Sequence, residues 1–186
     1  MNERNLEGFT LIEAILALGI GGAILAMVFM VLPGVFANAR DGQRRDDVLL
    51  TVSKLKNFQA NNNRGALPSG AVTPSGLYIS GDSIVFGPTT GVAWMDFYRS
   101  FFDENYTDPS GNRYNWKIVS CGTSSAGTAC PNANSIYNTT FDGNNFTMHF
   151  IVGATCNGDT AVATPNNRTV SVLYRLEKSE VYCANT

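Results

Sequence analysis

The chain has 186 residues, 44% of them hydrophobic and only 15% charged, with a formal net charge of −2. That length suits one ordinary domain plus a further element, and the absence of a basic footprint argues against nucleic-acid binding as a main activity. A single histidine excludes two-histidine metal motifs, and no pair among the four cysteines has the C-x-x-C spacing of zinc or redox sites.

In chain order, residues 1–8 are polar (MNERNLEG), and Phe9, Leu11 and Ile12 open an apolar stretch that Glu13 interrupts. A carboxylate inside an apolar helix costs a few kcal/mol and persists mainly where it has a partner or a task. From Ala14 to Ala39 no side chain is charged. As a helix rising about 1.5 Å per residue this run reaches roughly 39 Å, against a bilayer core of about 30 Å. One membrane span is expected, and nothing after Phe36 is apolar for long enough to make a second.

Gly8-Phe9-Thr10-Leu11-Ile12-Glu13, followed by that long apolar helix, resembles the GFTLIE signature of bacterial type IV prepilins and the related pseudopilins. The resemblance implies that residues 1–8 are a leader, that a prepilin peptidase cuts between Gly8 and Phe9, and that the new N-terminal Phe9 is methylated. It also implies a role for Glu13: neutralising the N-terminal amine of a neighbouring subunit, so that pairing drives docking and favours one axial register. The implied partners are other copies of the chain and related pilins, the peptidase, an inner-membrane assembly platform, and the membrane itself before assembly.

Gly19, Gly21, Gly22 and Pro33 interrupt the span. Glycine weakens a helix by up to about 1 kcal/mol, and proline removes a backbone hydrogen bond. Gly19 with Ala23, and Gly22 with Ala26, have the small-x-x-x-small spacing that lets helices approach closely. Gly19, Gly22 and Pro33 are therefore read, with Glu13, as assembly positions in a helix that packs in a filament core. A competing processing site exists: Ala37-Asn38-Ala39 has the A-x-A form of a signal-peptide junction, which would release a secreted binding protein beginning at Arg40. Its apolar region is longer than the 7–15 residues of a usual signal. Arg4 precedes the span and Arg40, Arg44 and Arg45 follow it, a bias that alone would put the C-terminal part in the cytoplasm. The cysteines and the signature imply the opposite orientation.

Past the span, Val48, Val52, Leu55 and Phe58 recur on one helical face, while Arg44, Arg45, Asp46, Asp47, Lys54 and Lys56 fall mostly on others. Asn61, Asn62, Asn63, Gly65 and Pro68 are stop signals. One helix is expected from about Thr10 to about Ala60, kinked near Pro33. Residues 66–92 read as a loop with short strands near Leu77–Ile79 and Ile84–Phe86. Trp94, Phe97, Tyr98 and Phe101 have helical spacing, and this aromatic stripe reads as core. Asp108-Pro109-Ser110-Gly111-Asn112 is a strong turn. It resembles a turn of major pseudopilins, some of which bind calcium there; Asp103, Glu104, Asp108 and Asn112 are possible oxygen ligands, but the spacing matches no established calcium loop and no metal is expected.

Strands are expected over Arg113–Ser120, Phe146–Val152, Val170–Leu176 and Val181–Cys183, with Cys121–Asn145 as an exposed loop and 177–180 as a hairpin turn. The four cysteines allow three pairings. Cys121 with Cys130 closes a small loop, and Cys156 with Cys183 ties a strand end to the C-terminal strand. Disulfides would place this region outside the cytoplasm. Four Asn-x-Thr sequons, at Asn105, Asn138, Asn145 and Asn167, are given no function.

The expected organisation is a leader over 1–8, a transmembrane and filament-core helix over 9–39, its amphipathic continuation over 40–62, and a globular head over 63–186. The fold class is α+β: a long N-terminal membrane-spanning helix packed on a small antiparallel β-sheet, pilin-like. His149 stands alone, and no phosphate loop or nucleophile elbow occurs, so neither an enzyme nor a cofactor is expected. The function implied is a structural subunit polymerised into an extracellular filament after residence in the cytoplasmic membrane with its C-terminal domain outside. A pseudopilin of a type II secretion machine is the nearest alternative.

Overall fold

The structure is a computed structural model that describes residues 9–61, 65–68, 77–80, 83–86, 92–101, 106–122, 125–131, 146–177 and 180–186. The leader, including Gly8, and residues Asp103, Glu104, Asn105, Asn138 and Asn145 lie outside this set. The chain divides into two compact units, one ending at Ala39 and one starting at Arg40.

Helix α1 runs from Leu11 to Asn61 and contributes to both units. In the first unit it is apolar all round. Leu11, Ile12, Ile15, Leu16, Leu18, Met27, Phe29 and Met30 are all exposed, as are Val35 and Phe36. It is long and apolar enough to cross a membrane. Pro33 sits inside the helix, which continues through it.

The second unit is α+β. Its strands and remaining helix are β1 (Leu77–Ser80), β2 (Ser83–Phe86), α2 (Val92–Phe101), β3 (Asn115–Ser120), β4 (Thr147–Val152), β5 (Ala154–Asn157), β6 (Thr160–Ala163), β7 (Val170–Arg175) and β8 (Val181–Asn185). Six strands form one sheet in the order β2-β1-β3-β4-β7-β8, and β5 and β6 form a separate hairpin.

The period-2 side-chain alternation of the strands sorts their residues onto two faces. Trp116, Ile118, Met148, Phe150, Val170, Val172 and Tyr174 join Val48, Val52 and Leu55 of α1 and Trp94, Met95, Phe97 and Tyr98 of α2 in the main core. The ring of Trp116 lies 4.4 Å from that of Phe150 and 5.0 Å, edge-on, from that of Tyr98. Val119, Ile151 and Leu173 point the other way and pack with Ala154, Ala161, Ala163 and the Cys121 and Cys130 sulfurs in a second cluster.

The sheet is mixed, which corrects the expectation of an antiparallel one. β3 and β4 pair in parallel, with Ile118 opposite Phe150. Parallel neighbours need a long return connection, and the chain between Ser120 and Thr147 is long enough to supply one. Six strands were expected, two of them short, and eight are present among the described residues. The strands missed entirely are β5 and β6. Their pairing of Asn157 with Thr160 leaves Gly158-Asp159 as a two-residue turn, with Gly158 at φ +60°, a hairpin signal of the sequence itself.

Candidate functional site

The residues singled out by the sequence fall in two places, the start of α1 and the second unit. At the start of α1, Thr10 precedes the first helical residue. Glu13 Oε2 accepts hydrogen bonds from the Thr10 amide at 2.9 Å and the Thr10 hydroxyl at 2.8 Å, and Thr10 Oγ1 accepts one from the Glu13 amide at 3.4 Å. This is a reciprocal capping box, which satisfies helix-start donors that have no partner within the helix. Glu13 therefore has a partner inside its own chain. The expectation treated it as unpartnered until another subunit arrived. The Thr-x-x-Glu spacing was available in the sequence as a capping signal.

Phe9 is 88% exposed. A Cβ added to Gly19, Gly21, Gly22 or Gly34 would meet no atom within 4 Å. Among the described residues, then, nothing outside the helix's own backbone approaches these glycines, and their lack of a side chain does not serve packing inside the described structure.

In the second unit a polar network gathers around charged residues that the sequence placed mostly off the apolar face of α1. Asp41 and Arg44 are buried, on the same face of α1 as Val48. The Arg44 guanidinium donates through Nε to Asp108 Oδ2 at 2.7 Å and through Nη2 to Asp108 Oδ1 at 3.2 Å and Ser110 Oγ at 3.3 Å. Its Nη1 donates to Asp41 Oδ1 at 2.9 Å and Glu177 Oε1 at 3.1 Å. Arg40 donates to both oxygens of Glu177, and the Glu177 amide donates to Asp41. Tyr174 donates to Asp108, and Tyr114 donates to Asp47 Oδ2 at 2.6 Å.

The turn at Asp108 presents these groups. Gly111 N–H donates to Asp108 O at 2.7 Å across Pro109-Ser110, and Gly111 takes φ +85°, which a side chain would strain. Burial works against the Asp108 carboxylate, but the Arg44 and Ser110 hydrogen bonds outweigh it and hold its pKa below the usual range. The Asp108 hydrogen bonds raise the Arg44 pKa against its desolvation, so the guanidinium stays charged. Arg40 lowers the pKa of Glu177, and burial raises that of Asp47.

Both Asp108 oxygens are thus committed to protein donors, which leaves the turn poorly suited to calcium. Among the described residues no group of three His, Cys, Asp or Glu side chains is placed to hold a metal. His149 is buried in β4 with its Nδ1 unpartnered, and burial, with Lys117 adding to it, depresses its pKa to about 3. It is neutral at ordinary pH. Trp94, Phe97 and Tyr98 are core, as their spacing suggested.

The four cysteines form Cys121–Cys130 and Cys156–Cys183. The first closes a loop against β6, where Cys130 N–H donates to Ala161 O. The second joins β5 to β8 and so ties the small hairpin to the main sheet.

In comparisons with known proteins, no family model matches this chain, and neither does any curated protein or any solved structure.

Proposed function

We propose that the chain is a structural subunit of a type IV pilus-like filament, held in a membrane by α1 until it is cut after Gly8 and polymerised. The carrying observation is the juxtaposition at the start of α1. The Gly8-Phe9 junction is followed directly by the Thr10–Glu13 cap and then by a helix whose large apolar side chains are exposed. Such a surface is stable only in lipid or against other helices. The open faces of Gly19 and Gly22 favour the second partner, because small residues let helix backbones come close. The disulfides support an oxidising compartment for the second unit.

The test is the mature N-terminus of the native protein and its assembly state. Mass spectrometry is expected to find methylated Phe9 as the first residue, in material that sediments as fibres visible by electron microscopy. A chain that retains Met1–Gly8, or one that begins at Arg40, overturns the proposal.

A further inference from the structure

We propose that residues 40–47 of α1 form a charge-held strap, fastened to the rest of the second unit by polar contacts centred on Arg44 and able to let go while that unit stays folded. The sequence of the strap, Arg-Asp-Gly-Gln-Arg-Arg-Asp-Asp, contains no apolar side chain. The apolar hold on α1 begins only at Val48 and continues through Val52 and Leu55. The long-range ties of the strap among the described residues are polar, apart from the Arg45 guanidinium over the Tyr182 ring at 5.8 Å. Arg40 and Asp41 reach Glu177, Arg44 reaches Asp108, Ser110 and Glu177, and Asp47 receives Tyr114. Tyr106 donates to the Asp47 carbonyl, Tyr174 steadies Asp108, and Arg45 pairs loosely with Glu180 at 3.7 Å.

Two physical features make this attachment separable from the core. Gly42 and three aspartates in eight positions are poor helix formers, so the strap has little intrinsic helicity to keep it in place. A buried ion pair gives back in desolvation much of what it gains in attraction, so opening both partners to water together costs little. Peeling Val48, Val52 and Leu55 from the core instead exposes apolar area. The strap is therefore the first part of the unit to open, in the sense of a local unfolding step. Removing one partner has the opposite balance: without Arg44, Asp41 and Asp108 face each other with no cation between them, and the closed strap is expelled. The proposal goes beyond the pilin reading and does not depend on polymerisation.

Hydrogen–deuterium exchange of the full chain in detergent micelles tests it. In the wild type, amides of 41–47 are expected to exchange about tenfold or more faster than those of 49–55. Raising salt from about 0.1 to 1 M, which shortens the screening length from about 10 to 3 Å and so favours the opened, solvated charges over the buried pairs, should speed only 41–47. Arg44→Met, and separately Asp108→Asn, should abolish protection over 41–47 and leave 49–55, β3, β4 and β7 protected. Equal exchange of 41–47 and 49–55 in the wild type at both salt concentrations overturns the proposal. If neither variant folds, the wild-type salt comparison decides alone.

Discussion

Removing the disulfides one at a time tests how the second unit is stapled. Cys156–Cys183 spans 27 positions of chain and Cys121–Cys130 spans 9. By the loop-closure relation, the longer bridge stabilises by about 3.5 kcal/mol and the shorter by about 2.6. The structure widens the gap. The 121–130 loop keeps other ties when its bridge is cut, because Gly127 N–H donates to Ala163 O and Ala163 N–H to Thr128 O. Beyond its bridge, β5 meets β8 through a long hydrogen bond, Cys156 N–H to Asn185 Oδ1 at 3.4 Å, and through the packing of Ala154 in the cluster that holds Val181. The paired alanine variants can be compared by urea unfolding in mild detergent. Both tryptophans of the chain, Trp94 and Trp116, are buried in the main core, so their fluorescence reports that unit alone. The variant lacking Cys156–Cys183 is expected to lose about 3–4 kcal/mol and the other about 2. A larger loss from the shorter bridge, or losses below about 1 kcal/mol from both, would refute this reasoning.

Glu13→Gln preserves the cap of the Thr10 amide and removes the charge, whereas Glu13→Ala removes both. Under the filament reading both variants are still processed after Gly8 and neither assembles normally; full filament yield from the Gln variant would leave capping as the only role of Glu13. His149 is the one histidine of the chain, so its imidazole signals in NMR are unambiguous. Its folded pKa of about 3 lies below the usual 6.5. The unfolded chain therefore takes up a proton first as pH falls, and stability should drop progressively from about pH 6.5 toward 3. Imidazole shifts that titrate near 6.5 in the folded protein would contradict this, and His149→Phe should flatten the slope. Leu55 is fully buried, and Leu55→Ala should cost about 2–5 kcal/mol in the same urea assay, with a value under 1 showing that the α1 face is not held as described.

The parts of the fold legible in the sequence are those written at short range. The length of α1 follows from an uninterrupted apolar and then amphipathic run that ends in a cluster of asparagines, and its observed end at Asn61 falls within that cluster. β3, β4, β7 and β8 follow from alternation, and the turn at Asp108 from Asp, Pro and Gly in their usual positions. The cap at Thr10 and the Gly158-Asp159 hairpin carried local signals too, but these went unread among stronger ones. The parallel pairing of β3 with β4 had no local signal, since alternation specifies which face a side chain takes and not which way the neighbouring strand runs.

Charge shows the same division. A helical projection of 40–58 places Val48, Val52 and Leu55 inward and treats arginines and aspartates as a solvated face, because an isolated ion is far more stable in water than in a core. Arg44 is buried only because Asp108 and Glu177 arrive from 64 and 133 positions away, and no pattern within the helix announces them. The sequence by itself determined the greasy first helix, its capping threonine and glutamate, and the strand alternation, all of which are contacts or preferences among near neighbours. Tertiary structure alone decided the strand order and the burial of Arg44, since both depend on which distant segments meet, and a buried charge is tolerable only once its counter-charges are in place.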